Sequence, residues 1–223
     1  MKLTVSANPE ELKDGDGGAY INHSAIYDVM INYVQVAETK NKASQINFNV
    51  NHKGMNQTIY GPILVNKDGN INTITKSMVD RLSVIANLEN GQELETEEAE
   101  FPVGKDNVLT DMDIFPEFSD LEVKIRVQME YKLYKGEIQE RKSIKAFYRE
   151  DGATAAEILS DSDFGKRLAL DEEKYASNIT YKDGLTEEEV TDWIKNRNSG
   201  KASKGGASTP AAKSTAKRPR FGN

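Results

Sequence analysis

The chain of 223 residues contains no cysteine and only two histidines, His23 and His52. The absence of cysteine excludes disulfide bonds and thiolate zinc sites, and it is compatible with a reducing compartment. Two imidazoles supply little for metal binding or for catalysis by histidine. The sequence also contains no nucleophile–base set, no glycine-rich phosphate loop and no array of metal ligands. These absences predict a protein that is not an enzyme and that uses no cofactor or metal.

The chain also lacks a long apolar run. No stretch approaches the ~20 apolar residues that a membrane-spanning helix needs. The N-terminal sequence MKLTVSANPEEL has one lysine and no apolar centre, which is not the pattern of a secretory signal peptide. Residues 1–19 end in DGDGGA and are predicted to form a loose leader.

Acidic side chains are missing from the C-terminal segment. The whole chain carries 29 basic and 36 acidic side chains, which gives a formal net charge of −7. Residues 199–223 hold six of the basic residues and no acidic one, so the rest of the chain is strongly acidic. The segment is dominated by Gly, Ala, Ser, Thr, Lys and Pro without periodicity. This composition predicts a disordered basic tail.

Residues 121–134, LEVKIRVQMEYKLY, have an apolar side chain at every second position. An unbroken period of two over this length predicts a β-strand with one buried and one solvated face. At about 3.3 Å per residue, such a strand would span roughly 45 Å. Its solvated face carries cations together with an aromatic ring.

Four further strands and one amphipathic helix are predicted around this one. The strands cover residues 21–36, 45–51, 55–65 and 137–149, and the helix covers residues 72–89. The resulting order, β-β-β-α-β-β, is that of the OB-fold, a five-stranded, partly open barrel that binds oligonucleotides and oligosaccharides. We therefore expect a mainly β fold with an OB-fold domain at residues 20–152, a helical extension at 153–198 and the disordered tail at 199–223.

Residues 93–119 are predicted as an acidic, irregular excursion before the long strand. The acidic run 93–100 has two interpretations, a solvated charge run or a mimic of nucleic acid that competes for the basic groove or the tail. The pair Asp111 and Asp113 is spaced like two metal ligands, but without further ligands in the sequence it is interpreted as a loop feature.

Three segments resemble a known family. They are the first strand pair, AIYDVMINYVQVAETKNKASQINFNV, the segment IYGPILVNKDGNINTITKSMVDRL, and the phrase DGATAAEIL after the last hairpin. Over roughly residues 20–160 the chain resembles the OB-fold single-stranded-DNA-binding proteins of tailed bacteriophages. The resemblance implies sequence-tolerant binding of single-stranded DNA in phage replication, recombination or repair, in the cytoplasm of the infected bacterial host.

One feature departs from that family. Many replicative members end in an acidic tail closed by an aromatic residue, which recruits partner proteins, whereas this tail is basic and ends in RPRFGN. Its role is therefore open between contact with DNA, contact with a phage replication or recombination protein, and a solubilising tether. The tail residues assigned to DNA or partner contact are Lys213, Lys217, Arg218, Arg220 and Phe221.

Binding single-stranded DNA without reading its sequence requires cations along the phosphates and flat side chains that stack on bases. Residues 124–149 hold eight Lys or Arg and three Glu, inside an otherwise acidic body. For any single cation, an ordinary solvated charge is an equally good interpretation. The predicted nucleic-acid-binding residues are Lys124, Arg126, Lys132, Tyr134, Arg141, Lys142, Lys145, Phe147, Tyr148, Arg149 and Tyr60.

Aromatic residues on the first three strands are assigned by their alternation. Phe48 shares its face with apolar neighbours, and Tyr33 falls in step with Tyr27, so all three are predicted to be core. Tyr60 is out of phase with Ile59 and is predicted to be exposed.

Two functions remain open. One is non-enzymatic binding of single-stranded DNA. The other is a non-catalytic interaction module whose acidic body binds a basic partner protein.

Overall fold

The computed structural model describes residues 18–104, 106 and 108–198. Regular structure in these ranges is mostly β, and none of the described helices is long and apolar enough to cross a bilayer. In chain order the elements are β1 (Ala25–Glu38), β2 (Ser44–His52), β3 (Met55–Val65), α1 (Thr73–Ile85), β4 (Glu97–Val103), β5 (Val108–Phe115), a 3-10 turn (Pro116–Phe118), β6 (Leu121–Tyr134), β7 (Glu137–Tyr148), α2 (Ala155–Ser160), α3 (Lys166–Lys174), β8 (Ile179–Tyr181) and α4 (Glu187–Asn198).

β1 is the central strand of an open antiparallel sheet. Along one edge it pairs with β2, which pairs in turn with β3. Along its other edge, residues 25–31 pair with residues 121–127 of β6, and Val34 and Gln35 pair with β5. β6 also pairs with β7 and β8, and β5 pairs with β4. The prediction of a mainly β fold is confirmed. Closure into a barrel is not, because no ladder among the described strands joins β3 to β7.

The β4–β5 hairpin is the largest departure from the sequence prediction. The prediction of an irregular excursion is wrong for β4 and β5, which form a paired hairpin. The alternation of this hairpin is weak in the sequence because its strands are short and rich in Asp and Glu, which have low strand propensity, and because β4 contains a proline. Ala99 and Phe101 lie on one face, while Glu98 and Glu100 lie on the other, as the period of a strand requires.

Predicted boundaries are most accurate where the period of two is unbroken. The structure places β3 and β6 at the predicted residues. Helix α1 begins after Asn72, whose side chain accepts hydrogen bonds from the N–H groups of Ile74 and Thr75. It ends at Ile85, earlier than predicted, and Asn87 then takes a positive φ of 58°.

A bulge in β1 changes which residues face the core. Ile31 is opposite Val50, but Tyr33 is opposite Asn49, so one extra residue lies in β1 between them. Residues three apart in a regular strand point to opposite faces, but with the extra residue Ile31 and Val34 both point into the core. The predicted burial of Tyr33 is confirmed, but for a different reason. Its ring stacks on Phe101 of β4, with ring centroids 4.0 Å apart, on the face away from the main core.

The core lies between β1, β2, β3, β6 and helix α1. Phe48 and Tyr27 are buried, as their alternation predicts. The other members are apolar side chains from alternate strand positions and from one face of α1. They include Ile31, Val34, Ile46, Val50, Ile59, Leu82, Ile85, Phe118, Val123, Ile125 and Val127.

The segment after β7 contains more structure than the sequence predicts. Helix α2 begins with a capping box, in which Thr154 and Glu157 bond each other's backbone N–H groups. Helix α3 and strand β8 are not predicted, because their sequences are polar and weakly periodic. The buried carboxylate of Glu157 also accepts the backbone N–H of Arg167, at 2.7 Å, which joins α2 to the start of α3.

The described residues divide into two compact units. The first contains residues 18–130 and 140–180, and the second contains Tyr131–Gln139 and residues 181–198. In the second unit, the ring of Tyr131 stacks on Tyr181 and meets Trp193 edge-on, with centroids 6.1 and 6.2 Å away. Val190 of α4 is buried. This small unit is therefore held mainly by aromatic packing.

Candidate functional site

A cavity of about 650 Å³ in the first unit collects basic side chains from four elements. Its wall is built from β3, α1, β6, β7 and the two helices that follow β7. Five basic side chains and two acidic ones line it. They are Arg81, Arg126, Arg141, Lys145 and Arg167, with Glu130 and Asp171. A cleft lined with charge of one sign raises the local concentration of oppositely charged ligands, even in a protein that is acidic as a whole.

Arg141 stands at the gap between β7 and the edge strand β3. Its Nη2 donates to the carbonyl oxygen of Gly61 at 2.9 Å, which fixes the guanidinium beside the cavity. Gly61 lies in a bulge of β3, and a Cβ added there would be 2.4 Å from the carbonyl oxygen of Ile46. Only glycine therefore allows β3 to approach β2 this closely at the point where Arg141 binds.

Arg81 and Arg141 are the two basic residues of the cavity whose charge is not paired with a carboxylate in the described part of the chain. The Nε of Arg81 donates to the carbonyl of Ser77 on its own helix, at 3.0 Å. Within the described ranges neither guanidinium forms an ion pair, whereas the other three basic groups of the cavity each pair with a carboxylate. Lys145, for example, lies 2.6 Å from Glu130.

Tyr60 supplies an aromatic face at the same place. It is 63% exposed and lines the cavity, and in the β2–β3 ladder it is opposite Asn47. Its predicted exposure is confirmed. The exposed ring is free on one side to stack on a planar group, which is how proteins hold single-stranded nucleic acid without reading its sequence.

The outer face of β1, β2 and β3 is a lattice of carboxamides. Asn32 donates to Asn49 at 2.6 Å, and Asn51 donates to Asn56 at the same distance. Carboxamides donate and accept hydrogen bonds, so this face can contact the edges of bases and sugars without adding charge. Sequence reasoning missed the lattice, although the alternating asparagines of INFNVNH on β2 carry its signal.

Asp171 on α3 joins two of the cavity's arginines. Its side chain is 1% exposed, and its oxygens lie 3.4 Å from Nε of Arg126 and 2.9 Å from a terminal nitrogen of Arg167. The hydroxyl of Tyr148 donates to the same carboxylate. Both guanidinium groups also lie 5.7 Å from the ring centroid of Tyr175. Burial and the hydrogen bond to Asp171 raise the pKa of Tyr148, so its hydroxyl stays protonated.

Two of the predicted stacking residues lie where no base can reach them. Phe147 is buried against Phe48, with ring centroids 5.5 Å apart, although it contributes to the cavity wall. Tyr148 is fully buried. Neither ring is exposed for stacking on a base, because β7 is covered on both sides at its end. The core lies against one face, and Asp171 of α3 contacts the other.

Three predicted cations are engaged outside the cavity. Lys124 forms an ion pair with Asp28 on the neighbouring strand β1. The ammonium of Lys142 lies 3.7 Å from the ring centroid of Tyr20. Arg149 pairs with Asp151 at 2.6 Å, and this carboxylate raises the pKa of the guanidinium further. The predicted basic wall is therefore divided, with only part of it facing the cavity.

The predicted residues at the tip of the β6–β7 hairpin belong to the second unit. Tyr134 is 51% exposed, and the ammonium groups of Lys132 and Lys135 lie 6.0 and 5.3 Å from its ring centroid. The turn between the strands uses positive φ at Lys135 and Gly136, as a two-residue hairpin requires. An exposed ring between two cations is a second arrangement suited to a base and its phosphate.

The remaining predicted residues, Lys213, Lys217, Arg218, Arg220 and Phe221, lie outside the described residues. Sequence reasoning also missed Arg81 and Arg167, because both lie on helices and reach the cavity only through tertiary packing. No sequence signal marks them, since a cation on the outer face of a helix is normal.

The β4–β5 hairpin has the opposite character to the cavity. In its register Glu98 is directly opposite Asp113, and Glu100 is directly opposite Asp111. All four side chains are exposed, and none forms an ion pair within the described part of the chain. We call this the acidic face of the hairpin. In the described ranges no cluster of three or more potential ligands is arranged to hold a metal ion, so Asp111 and Asp113 do not form such a site there.

Comparison with known proteins adds no relative. No protein-family model matches the chain, and no curated protein matches it.

Proposed function

We propose that the protein binds single-stranded DNA without strong sequence preference and has no catalytic role. The observation that carries the proposal is the concentration of five basic side chains and an exposed tyrosine around one cavity of an acidic protein. Phosphates would bind at Arg81 and Arg141, which make no ion pair in the described residues. A base would stack on Tyr60, and the carboxamide lattice beside it offers hydrogen bonds to further nucleotides.

The strand order supports an OB-fold as the framework for this function. If the β4–β5 hairpin is treated as an insertion, the remaining order is β1-β2-β3-α1-β6-β7, with β1 between β2 and β6 and with β6 paired to β7. OB-folds bind oligonucleotides on the face of their second and third strands and on the loops that join strands one and two and strands four and five. The first unit holds two of these positions, the carboxamide lattice with Tyr60 and the loop with exposed Lys40 and Lys42.

The resemblance to the phage single-stranded-DNA-binding proteins extends the proposal to DNA replication, recombination or repair in an infected bacterial cell. The basic tail adds up to six charges to the DNA contact, or it binds a replication or recombination protein. Each phosphate contact that the tail makes would steepen the salt dependence of binding.

Fluorescent dT oligomers of several lengths, titrated with the full chain at two salt concentrations, test the proposal. We expect binding that is tighter than to duplex DNA of the same length and that weakens as salt rises. The double variant R81Q/R141Q should lower the slope of log affinity against log salt by about 1.4, which is about 0.7 for each lost phosphate contact on a single strand.

Lys76→Gln is the matched control, because it removes a cation from the exposed side of α1, where Lys76 pairs with Asp80. It should bind like the unmodified chain. A chain that ends at Asn198 isolates the tail, and equal affinity and equal slope would remove the tail from the DNA interface. Failure of the unmodified chain to bind any dT oligomer at low salt would overturn the proposal.

One observation favours a second function. The acidic face of the hairpin is exposed and has no cation paired to it in the described residues, which suits an interaction module for a basic partner protein. This alternative predicts no affinity for single-stranded DNA at physiological salt, so the same titration separates the two functions.

A further inference from the structure

Asp171 is a buried carboxylate that contacts two arginines of the cavity at once. Arg126 comes from β6, and Arg167 comes from α3, one turn before Asp171 on the same helix. The three side chains differ strongly in exposure. That of Asp171 is 1% exposed, that of Arg126 is 13% exposed and that of Arg167 is 48% exposed. The carboxylate is therefore out of reach of a ligand, while at least one of the guanidinium groups it holds is accessible.

The aromatic ring of Tyr175 completes the arrangement. Both guanidinium carbons lie 5.7 Å from its centroid, so each arginine is held by a charge and by a ring. A long arginine side chain that is fixed in this way loses less conformational entropy when it binds a phosphate. An arginine that is held by a buried partner therefore presents a preorganised guanidinium to a phosphate.

We propose that Asp171 is a positioning residue that holds Arg126 and Arg167 against the cavity wall as phosphate ligands, which makes helix α3 a part of the DNA-binding site. The inference rests on the proposed function and deepens it. A purely structural account, in which Asp171 only anchors α3 to the sheet, requires one carboxylate contact to β6 or β7. It also covers Arg167, as an ordinary i, i+4 pair within α3, but it gives no reason for both arginines to line the same cavity.

Asp171→Asn, tested in the full chain, distinguishes positioning from simple electrostatics because the two predict opposite signs. If Asp171 acted only through its charge, removing that charge would strengthen phosphate binding. Positioning predicts weaker binding of dT oligomers, by about three- to tenfold. It also predicts a salt slope lower by about 0.7 to 1.4, the loss of one or two phosphate contacts.

Two controls separate positioning from loss of stability. Lys124 lies on β6, as Arg126 does, but outside the cavity, and its carboxylate partner is Asp28 on β1. Asp28→Asn removes this carboxylate and therefore measures the pure charge effect. Tyr148→Phe removes a hydrogen bond from the same buried cluster but leaves both ion pairs of Asp171 intact, so it measures the effect of weakening the cluster. Neither control should lower the salt slope.

A second measurement does not depend on DNA. In NMR spectra the Nε–H signal of Arg126 and the terminal guanidinium N–H signals of Arg167, the groups that face Asp171, should be dispersed and protected from solvent exchange in the unmodified chain, and they should lose protection in Asp171→Asn. Unchanged protection would overturn the inference, and so would Asp171→Asn binding dT as tightly as the unmodified chain with the same slope. If the unmodified chain binds no dT while the arginine signals respond as expected, the proposed function fails and Asp171 still positions the two arginines.

Discussion

The cavity and the acidic face of the β4–β5 hairpin lie in the same unit but treat charge in opposite ways. In the cavity three of five cations are paired with carboxylates that are themselves partly or fully buried. On the hairpin, carboxylates stand directly opposite each other, as in the pair Glu98 and Asp113. Paired charges hold long side chains in place, whereas opposed like charges repel across the strands. Ion pairs therefore stabilise the side chains of the cavity, whereas repulsion between carboxylates destabilises the acidic face of the hairpin.

The net charge of the chain does not describe the charge of either region. The chain has a net charge of −7, but its acidic residues are not spread evenly, and the hairpin concentrates four of them in two cross-strand pairs. The local arrangement of charged side chains, and not the net charge of the chain, therefore decides which ligands each region attracts.

The largest expected effect is on DNA binding in the cavity. Tyr60→Ala should weaken dT binding by about 1–3 kcal/mol, the usual contribution of one base stacked on an aromatic side chain. Leu109→Ala on the β4–β5 hairpin is the control, because Leu109 is 62% exposed and its removal deletes a similar apolar surface. An equal loss of affinity in both variants, measured by fluorescence titration, would contradict the assignment of DNA binding to the cavity and not to the hairpin.

The second effect concerns the stability of the helices that line the cavity. Glu157 is buried, with one oxygen accepting the N–H of Arg167 and the other accepting the N–H and hydroxyl of Thr154. Glu157→Gln would turn an amide group toward one of these donors, so it should cost about 1–3 kcal/mol in denaturant unfolding. Glu189→Gln is the matched control, since Glu189 forms the same capping box with Thr186 but is exposed.

The same carboxylate makes stability depend on pH. Burial alone would raise the pKa of Glu157, but the N–H groups of Thr154 and Arg167 outweigh it and hold the pKa below its ordinary value. A lowered pKa stabilises the folded chain above the ordinary carboxyl pKa, and this contribution is lost as pH falls through the folded-state pKa. The free energy of unfolding, measured against pH over that acidic range, should change less steeply with pH in Glu157→Gln than in the unmodified chain. An unchanged slope would mean that Glu157 titrates alike in both states.

The sequence predicts the sheet better than the site, and particular residues show why. Alternation gives β3 and β6 their correct bounds and gives Tyr60 its exposure, because a strand's period is a local property. Phe147 alternates with Arg141 and Lys145 but packs on Phe48 in the core, and Arg81 reaches the cavity from a helix. Both facts depend on packing between segments that are distant in sequence. The β4–β5 hairpin was missed because its strands are short and rich in Asp and Glu, which have low strand propensity, and because β4 contains a proline.

The smallest expected effect is on the stability of the acidic face of the hairpin. The double variant E98Q/E100Q removes one charge from each opposed pair, Glu98 with Asp113 and Glu100 with Asp111. Relief of the repulsion should raise the free energy of unfolding by about 0.2–1 kcal/mol per pair, and the gain should shrink in high salt because exposed charges are screened. Glu93→Gln removes an equally exposed charge outside the paired strands and should change little. Removal of a carboxylate should thus destabilise the region around the cavity and stabilise the hairpin. A loss of stability in E98Q/E100Q would contradict the repulsion between these carboxylates.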